Sequence, residues 1–242
     1  MTINMPGVAA TSTTHDFAGV LFDFDGTIID STEAIVENWR RIGEEIGIDH
    51  EVILQTSHGR RSIDVLKDLD PSRANWEYIS AMESKIPSLC KNPAIEIPGA
   101  RALLEALNNL YTPWAIVTSG TKALLNGWLN VLHLPRPQEI TVAEDVRIGK
   151  PDPEGYYKAR TRLLQHSGED DIKDVLVVED APAGVKAGKL AGCSVLAVTT
   201  THTVDQLKAA GADWVIPDHR FVEVRRKEGL QGAFTFTFNS IY

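Results

Sequence analysis

The run Asp23-Phe24-Asp25-Gly26-Thr27 sets two carboxylates two residues apart beside a glycine turn. Three further polar groups follow in order: Thr118-Ser119-Gly120, Lys150-Pro151 and Glu179-Asp180. Each stands at or just after the end of a short apolar run. Four carboxylates brought together would repel one another strongly unless a divalent cation and a lysine compensate them. Oxygen ligands without a His or Cys cluster select Mg²⁺. In such a setting a carboxylate can attack phosphorus and form an acyl phosphate, dividing one hard displacement into two easier ones. A second carboxylate can protonate the leaving alkoxide and later deprotonate the attacking water. Ser119 and the backbone amides around Gly26 and Gly120 can hydrogen-bond phosphate oxygens, while Lys150 sets positive charge beside the nucleophile.

Each of these residues also has an ordinary reading. An Asp-x-Asp-Gly run is a common turn and opens calcium loops, but Ile29 and Ser31 stand where such a loop needs further acidic ligands. Ser119 alone would be a helix cap, Lys150 a solvated lysine, and Glu179-Asp180 a pair favouring a helix dipole. Their order along the chain, after successive apolar runs, favours the catalytic reading. His15, His50, His133, His166, His202 and His219 have no ligand spacing. The five tryptophans read as core or cap-interface packing.

The elements that must position these groups follow from periodicity. Val20 to Phe24, Trp114 to Thr118, Ile140 to Ala143, Val175 to Val178 and Val195 to Thr199 are short, apolar and rich in β-branched residues, as suits strands covered on both faces. Arg101 to Leu110, Asp152 to Leu164 (Asp152 as N-cap, Pro153 in the first turn) and Ala181 to Ala191 read as helices. Alternating strands and helices predict an α/β fold with a doubly wound, Rossmann-like parallel sheet, which gathers ligands at the carboxyl ends of its strands. One interval breaks the alternation: residues 31–97 have helical periodicity, as in Ala34 to Ile46 and Ser62 to Leu69, until Pro98-Gly99. The expected organisation is a disordered lead-in over 1–17, a catalytic core over 18–30 and 98–219, a helical cap over 31–97, and an extension over 220–242. Within that extension, Phe234-Thr-Phe-Thr-Phe238 alternates like an edge strand with no assignable role.

The four groups, in order and extended to Lys150-Pro151-Asp152-Pro153 and Glu179-Asp180-Ala181-Pro182-Ala183-Gly184, resemble the four motifs of the haloacid dehalogenase superfamily. The resemblance covers roughly residues 18 to 218 and implies roles. Asp23 would be nucleophile and Mg²⁺ ligand. Asp25 would be the general acid/base, its backbone carbonyl also on the metal. Asp180 would be a further ligand and Glu179 an outer partner of the metal, with Ser119 and Lys150 holding the phosphoryl group. Asp25 sets phosphatases and phosphomutases apart from the dehalogenase branch. Ser57-His58-Gly59-Arg60-Arg61 makes the chain similar to the glycerol-3-phosphatase and 2-deoxyglucose-6-phosphatase group. By that analogy His58, Gly59 and Arg61 belong to a cap loop reaching the substrate, and Arg60 is not assigned.

Composition bounds the rest. A chain of 242 residues, 43% hydrophobic, can bury one substantial core with a modest insertion. A net charge of −9 and the lack of a basic patch exclude a nucleic-acid surface. No segment is long and apolar enough to span a bilayer. Residues 1–17 hold no Lys or Arg and no apolar stretch, and Cys90 and Cys193 suggest no disulfide framework, so a cytoplasmic protein is expected; a monomer is the default, since nothing in the sequence specifies an oligomeric state. The expected reaction is Mg²⁺-dependent hydrolysis of a small phosphorylated metabolite, glycerol 3-phosphate or a sugar phosphate. The alternatives are a β-phosphoglucomutase-like mutase and a non-catalytic phosphate-binding protein.

Overall fold

The structure, a computed structural model, describes residues 11–165, 173–227 and 233–241. In chain order the strands are β1 (Thr11–Phe17), β2 (Gly19–Phe22), β3 (Ile29–Asp30), β4 (Ile95–Glu96), β5 (Trp114–Val117), β6 (Glu139–Thr141), β7 (Val175–Glu179), β8 (Ser194–Val198), β9 (Trp214–Ile216), β10 (Val222–Arg226) and β11 (Phe234–Ser240). The helices are α1 (Thr32–Ile46), α2 (His50–Ser57), α3 (Ser62–Leu69), α4 (Trp76–Glu83), α5 (Ile86–Leu89), α6 (Ala100–Asn109), α7 (Lys122–Val131), α8 (Glu154–Leu164), α9 (Pro182–Leu190) and α10 (Val204–Ala210).

Strands β6-β5-β2-β7-β8-β9 form one parallel sheet. Its central strands are apolar up to their ends, Glu179 closing β7, because both faces are covered. Val20 and Phe22, Trp114 and Ile116, and Leu176 and Val178 enter one core with α6 and α7. Leu21, Ala115, Val117, Val175 and Val177 enter the other with α8, α9 and α10. The five expected strands are present, and β9 joins them at the sheet edge. Asp152 accepts from the amide of Glu154 at 2.9 Å from one residue ahead of the cap: α8 starts at Glu154, so Pro153 and not the expected Asp152 holds the N-cap position.

Between β3 and β4 the chain forms the helical cap, α1 to α5, on a two-residue antiparallel stem pairing Ile29 with Glu96 and Asp30 with Ile95. Trp39, Ile42, Ile53, Ile63, Val65, Leu66 and Ile79 give the cap its own apolar core. It is therefore a second small packing unit over the carboxyl edge of the sheet.

The chain ends depart from expectation. Residues 11–17, read as part of a disordered lead-in, form β1, which pairs with β11 from Thr11↔Ser240 to Phe17↔Phe234. Residues 1–10 of that lead-in lie outside the described residues. Strand β11 is not an edge strand: it is central in the sheet β1-β11-β10. Its alternate residues Phe234, Phe236 and Phe238 are buried in the main core, with the Phe236 and Phe17 rings 5.7 Å apart and those of Phe238 and Trp214 5.1 Å apart. The two ends thus form a layer of the core itself. Such pairing leaves little local trace, since Thr14 and Thr237 bond across 223 positions. Among the described residues, no helix is long and apolar enough to cross a membrane.

Candidate active site

Strand β2 delivers Asp23 to the carboxyl edge, where its amide donates to Val178 O at 2.9 Å. The chain then turns sharply. Thr27, Ile28 and Ile29 all donate to the Phe24 carbonyl, and Gly26 donates to Ile29 O at 2.7 Å. Gly26 has φ 88°, and a Cβ there would lie 2.2 Å from Asp180 Oδ2. Only glycine fits this turn, for both backbone and steric reasons. His219, from the far end of the chain, donates from Nε2 to Thr27 O at 2.7 Å and braces the loop.

Asp23, Glu179 and Asp180 are 6%, 1% and 3% exposed, and one carboxylate oxygen from each lies within 4.8 Å of the other two. Lys150 Nζ donates to Asp23 Oδ1 at 2.5 Å and to Glu179 Oε1 at 2.6 Å. Burial opposes charge on Lys150, but Asp23 and Glu179 outweigh it and hold its pKa above the usual lysine value. Burial, opposed by Lys150 and reinforced by Glu179 and Asp180, pushes Asp23 well up. Burial and then Glu179 push Asp180 up to about 7, against hydrogen bonds from Thr201 and Thr27. One lysine does not balance three buried carboxylates. A hard divalent cation among their oxygens would, so the donor set fits Mg²⁺. Glu179 already accepts from Lys150, from Tyr156 Oη at 2.7 Å and from the amides of Asp180 and Ala181 at 3.1 and 3.3 Å. That saturation suits an outer partner of the metal better than a ligand.

Asp25 stands apart from this trio, and the resemblance gives the metal its backbone carbonyl rather than its carboxylate. Its Oδ1 accepts from Ser31 Oγ at 2.6 Å. Burial raises its pKa against the opposing pull of Ser31, Lys150 and Thr118, the direction a general acid needs. A cavity between core and cap is lined by Asp23, Asp25, Asp180, Ser119 and Gly120 from below. His58, Gly59 and Arg60 meet it from the cap. Ser119 Oγ donates to Gly59 O at 2.8 Å and ties the two units together.

Arg61 departs from expectation. It does not line this cavity. Only 3% exposed, it forks onto Asp64 at 2.7 and 3.0 Å and donates to the carbonyls of Ala143, Val146 and Arg147 at 3.3, 2.6 and 3.0 Å. Its planar donors are spent clamping cap to core, beside Gly149 and the Lys150 loop. Arg60, left unassigned from sequence, reaches the cavity instead. Sequence reasoning also missed Tyr156, Thr201 and Glu83. Tyr156 orients Glu179, and Thr201 donates its hydroxyl to Asp180. Glu83, from α4, accepts from the amide of Thr121 at 2.8 Å. None stands in a motif, so only their position in space marks them.

Residues 20–198 match the haloacid dehalogenase-like hydrolase family. The chain is 42% identical over 208 residues to glycerol-1-phosphate phosphohydrolase 2 of Saccharomyces cerevisiae, covering 84% of this chain and 83% of that one. It is 36% identical over 219 residues to 2-deoxyglucose-6-phosphate phosphatase 2 of the same yeast, covering 84% and 89%. The crystal structure of a hydrolase from Pseudomonas syringae superposes with a TM-score of 0.70 at 25% identity, covering 83% of this chain and 94% of that one.

Proposed function

Starting from a chain that belongs to the haloacid dehalogenase-like hydrolase family and is one of its phosphoric monoester hydrolases, we propose that Asp23 carries the phosphoryl group as an aspartyl-phosphate, with Mg²⁺ as cofactor. The observation that carries this reading is the pairing of a lysine-held Asp23 with Asp25, two residues on and facing the same cavity. An Asp23 oxygen attacks phosphorus as the bond to the leaving oxygen breaks, and Asp25 gives that oxygen its proton. Water then attacks the aspartyl-phosphate. Asp25 takes the water's proton, the Asp23–phosphorus linkage breaks, and inorganic phosphate leaves. Lys150 stays charged throughout and offsets negative charge at Asp23 and the transferring group. Asp23, Asp180 and the Asp25 carbonyl would hold Mg²⁺, which when bound draws the nucleophile and phosphate together despite their like charge.

The substrates named for the yeast relatives suggest glycerol phosphate first and a hexose 6-phosphate second. Phosphate release should be measured from a panel of monoesters with Mg²⁺, with EDTA, and with Asp23→Asn. The expected outcome is metal-dependent release, lowered at least about a thousandfold by the substitution. Undiminished turnover in Asp23→Asn would remove it as nucleophile. Isomerisation of a sugar 1-phosphate without free phosphate would instead favour a mutase.

A further inference from the structure

Above the carboxylates, the cap covers the cavity with apolar side chains, among them Ile35, Trp39 and Ile86, and with a few polar ones that no step of hydrolysis uses. Ser57, the last residue of α2, is 6% exposed, and its hydroxyl is buried without a hydrogen-bond partner although it lines the cavity. A buried hydroxyl left unpaired is destabilising, so a ligand group that completes it is favoured. Glu83, the last residue of α4, is 4% exposed and lines the same cavity. Ser62 Oγ donates to its Oε1 at 2.5 Å and the Thr121 amide to its Oε2 at 2.8 Å, so its carboxylate is fixed across the cap–core junction.

The charge of the lining matters equally. Asp23, Asp25, Asp180 and Glu83 contribute four carboxylates, while among the described residues Arg60 is the one lining residue with a permanent positive charge. Its guanidinium is engaged by Asp68 at 3.0 Å. A metal ion and Lys150 serve the phosphoryl end, but among the described residues the roof has, beside Glu83, only the Asp68-paired Arg60 to offset a second anionic group. Like charges held together out of bulk water repel and disfavour binding.

Resting on the phosphatase reading above, we infer that Ser57 and Glu83 determine specificity: their hydroxyl and carboxylate receive the hydroxyl groups of a polyol monophosphate whose only anionic group is its phosphate, and reject esters with a second anionic group. Ser57 completes its hydrogen bonding with a substrate hydroxyl. Glu83 accepts from another and repels a carboxylate or second phosphate at that end.

Three esters test this with Mg²⁺-loaded enzyme: glycerol 3-phosphate, 3-phosphoglycerate, which has a carboxylate at the far end, and propyl phosphate, which lacks both hydroxyls. Wild-type kcat/KM should favour glycerol 3-phosphate over 3-phosphoglycerate by on the order of a hundredfold. Glu83→Gln should cut that ratio at least about tenfold by raising turnover of 3-phosphoglycerate. Ser57→Ala should cost glycerol 3-phosphate about tenfold more than it costs propyl phosphate, mainly through KM. A variant that merely loosens the fold lowers all three esters together and leaves the ratios unmoved. Ratios unchanged in both variants would therefore overturn the inference, as would equal wild-type turnover of all three esters. Release of phosphate from none of them would overturn the phosphatase reading itself, and this inference with it.

Discussion

At the scale of single residues, the site is a problem of charge. Asp23, Glu179 and Asp180 are nearly removed from water, and Lys150 bonds to two of them. Replacing Lys150 with Met leaves three close carboxylates with no buried cation beside them. Lys150→Met should therefore lower phosphate release by about 10²–10³-fold and lower Tm, with Mg²⁺ restoring more of the Tm in the variant than in the wild type. Thermal melts with and without Mg²⁺ read this directly, and equal Mg²⁺ shifts in both proteins would count against a charge-balancing lysine. These residues were legible in sequence because each sits in a recognisable motif, the carboxylates at the ends of apolar strands and Lys150 in the loop that follows β6. Tyr156 and Thr201 were not. Each contributes one hydroxyl to a carboxylate, and a hydroxyl in a helix or loop has no periodicity to reveal its target.

Arg61 shows how an element decides what a residue does. A motif beside His58 and Gly59 suggested substrate contact, yet the turn into α3 directs Arg61 toward the carbonyls of Ala143, Val146 and Arg147. Arg61→Ala would strip the Ala143, Val146 and Arg147 carbonyls of this donor and leave Asp64 with Lys67 alone at a partly buried junction, at a cost of about 2–3 kcal/mol. Arg61→Lys should rescue little, because an ammonium cannot reproduce a planar fork serving several acceptors. Urea unfolding gives the energy. Turnover in the folded variants should fall as well, since the clamped loop leads into Lys150. Full stability and activity in Arg61→Lys would show that its charge alone matters.

Over the whole molecule, the terminal strands are joined to the loop that follows Asp23. Strands β1 and β11 pair over the core, and His219 runs from the start of the terminal segment to Thr27 O, four residues beyond Asp23. Its Nδ1 is buried without a partner, and its ring lies 6.2 Å from that of Phe22. Burial holds its pKa below the ordinary 6.5, despite the Thr27 bond and the nearby Asp218. The unfolded chain therefore binds this proton more readily than the native one. Stability from the neutral ring is complete above about pH 6.5 and declines as pH falls through the lower native value. Unfolding free energies between pH 7 and 5 should fall more steeply in the wild type than in His219→Gln, and parallel slopes would assign the acid sensitivity elsewhere. The sequence by itself determined the parallel sheet, the helical insertion and the residues at the strand ends, because period, turn and motif are local and each strand end has its own marker. Only the tertiary structure decided that residues 11–17 are a strand, that Phe234 to Phe238 belong to the core, that Arg61 is a clamp, and that Ser57 and Glu83 roof the cavity. Those assignments depend on partners distant in the chain, and no short window of sequence contains both members of such a pair.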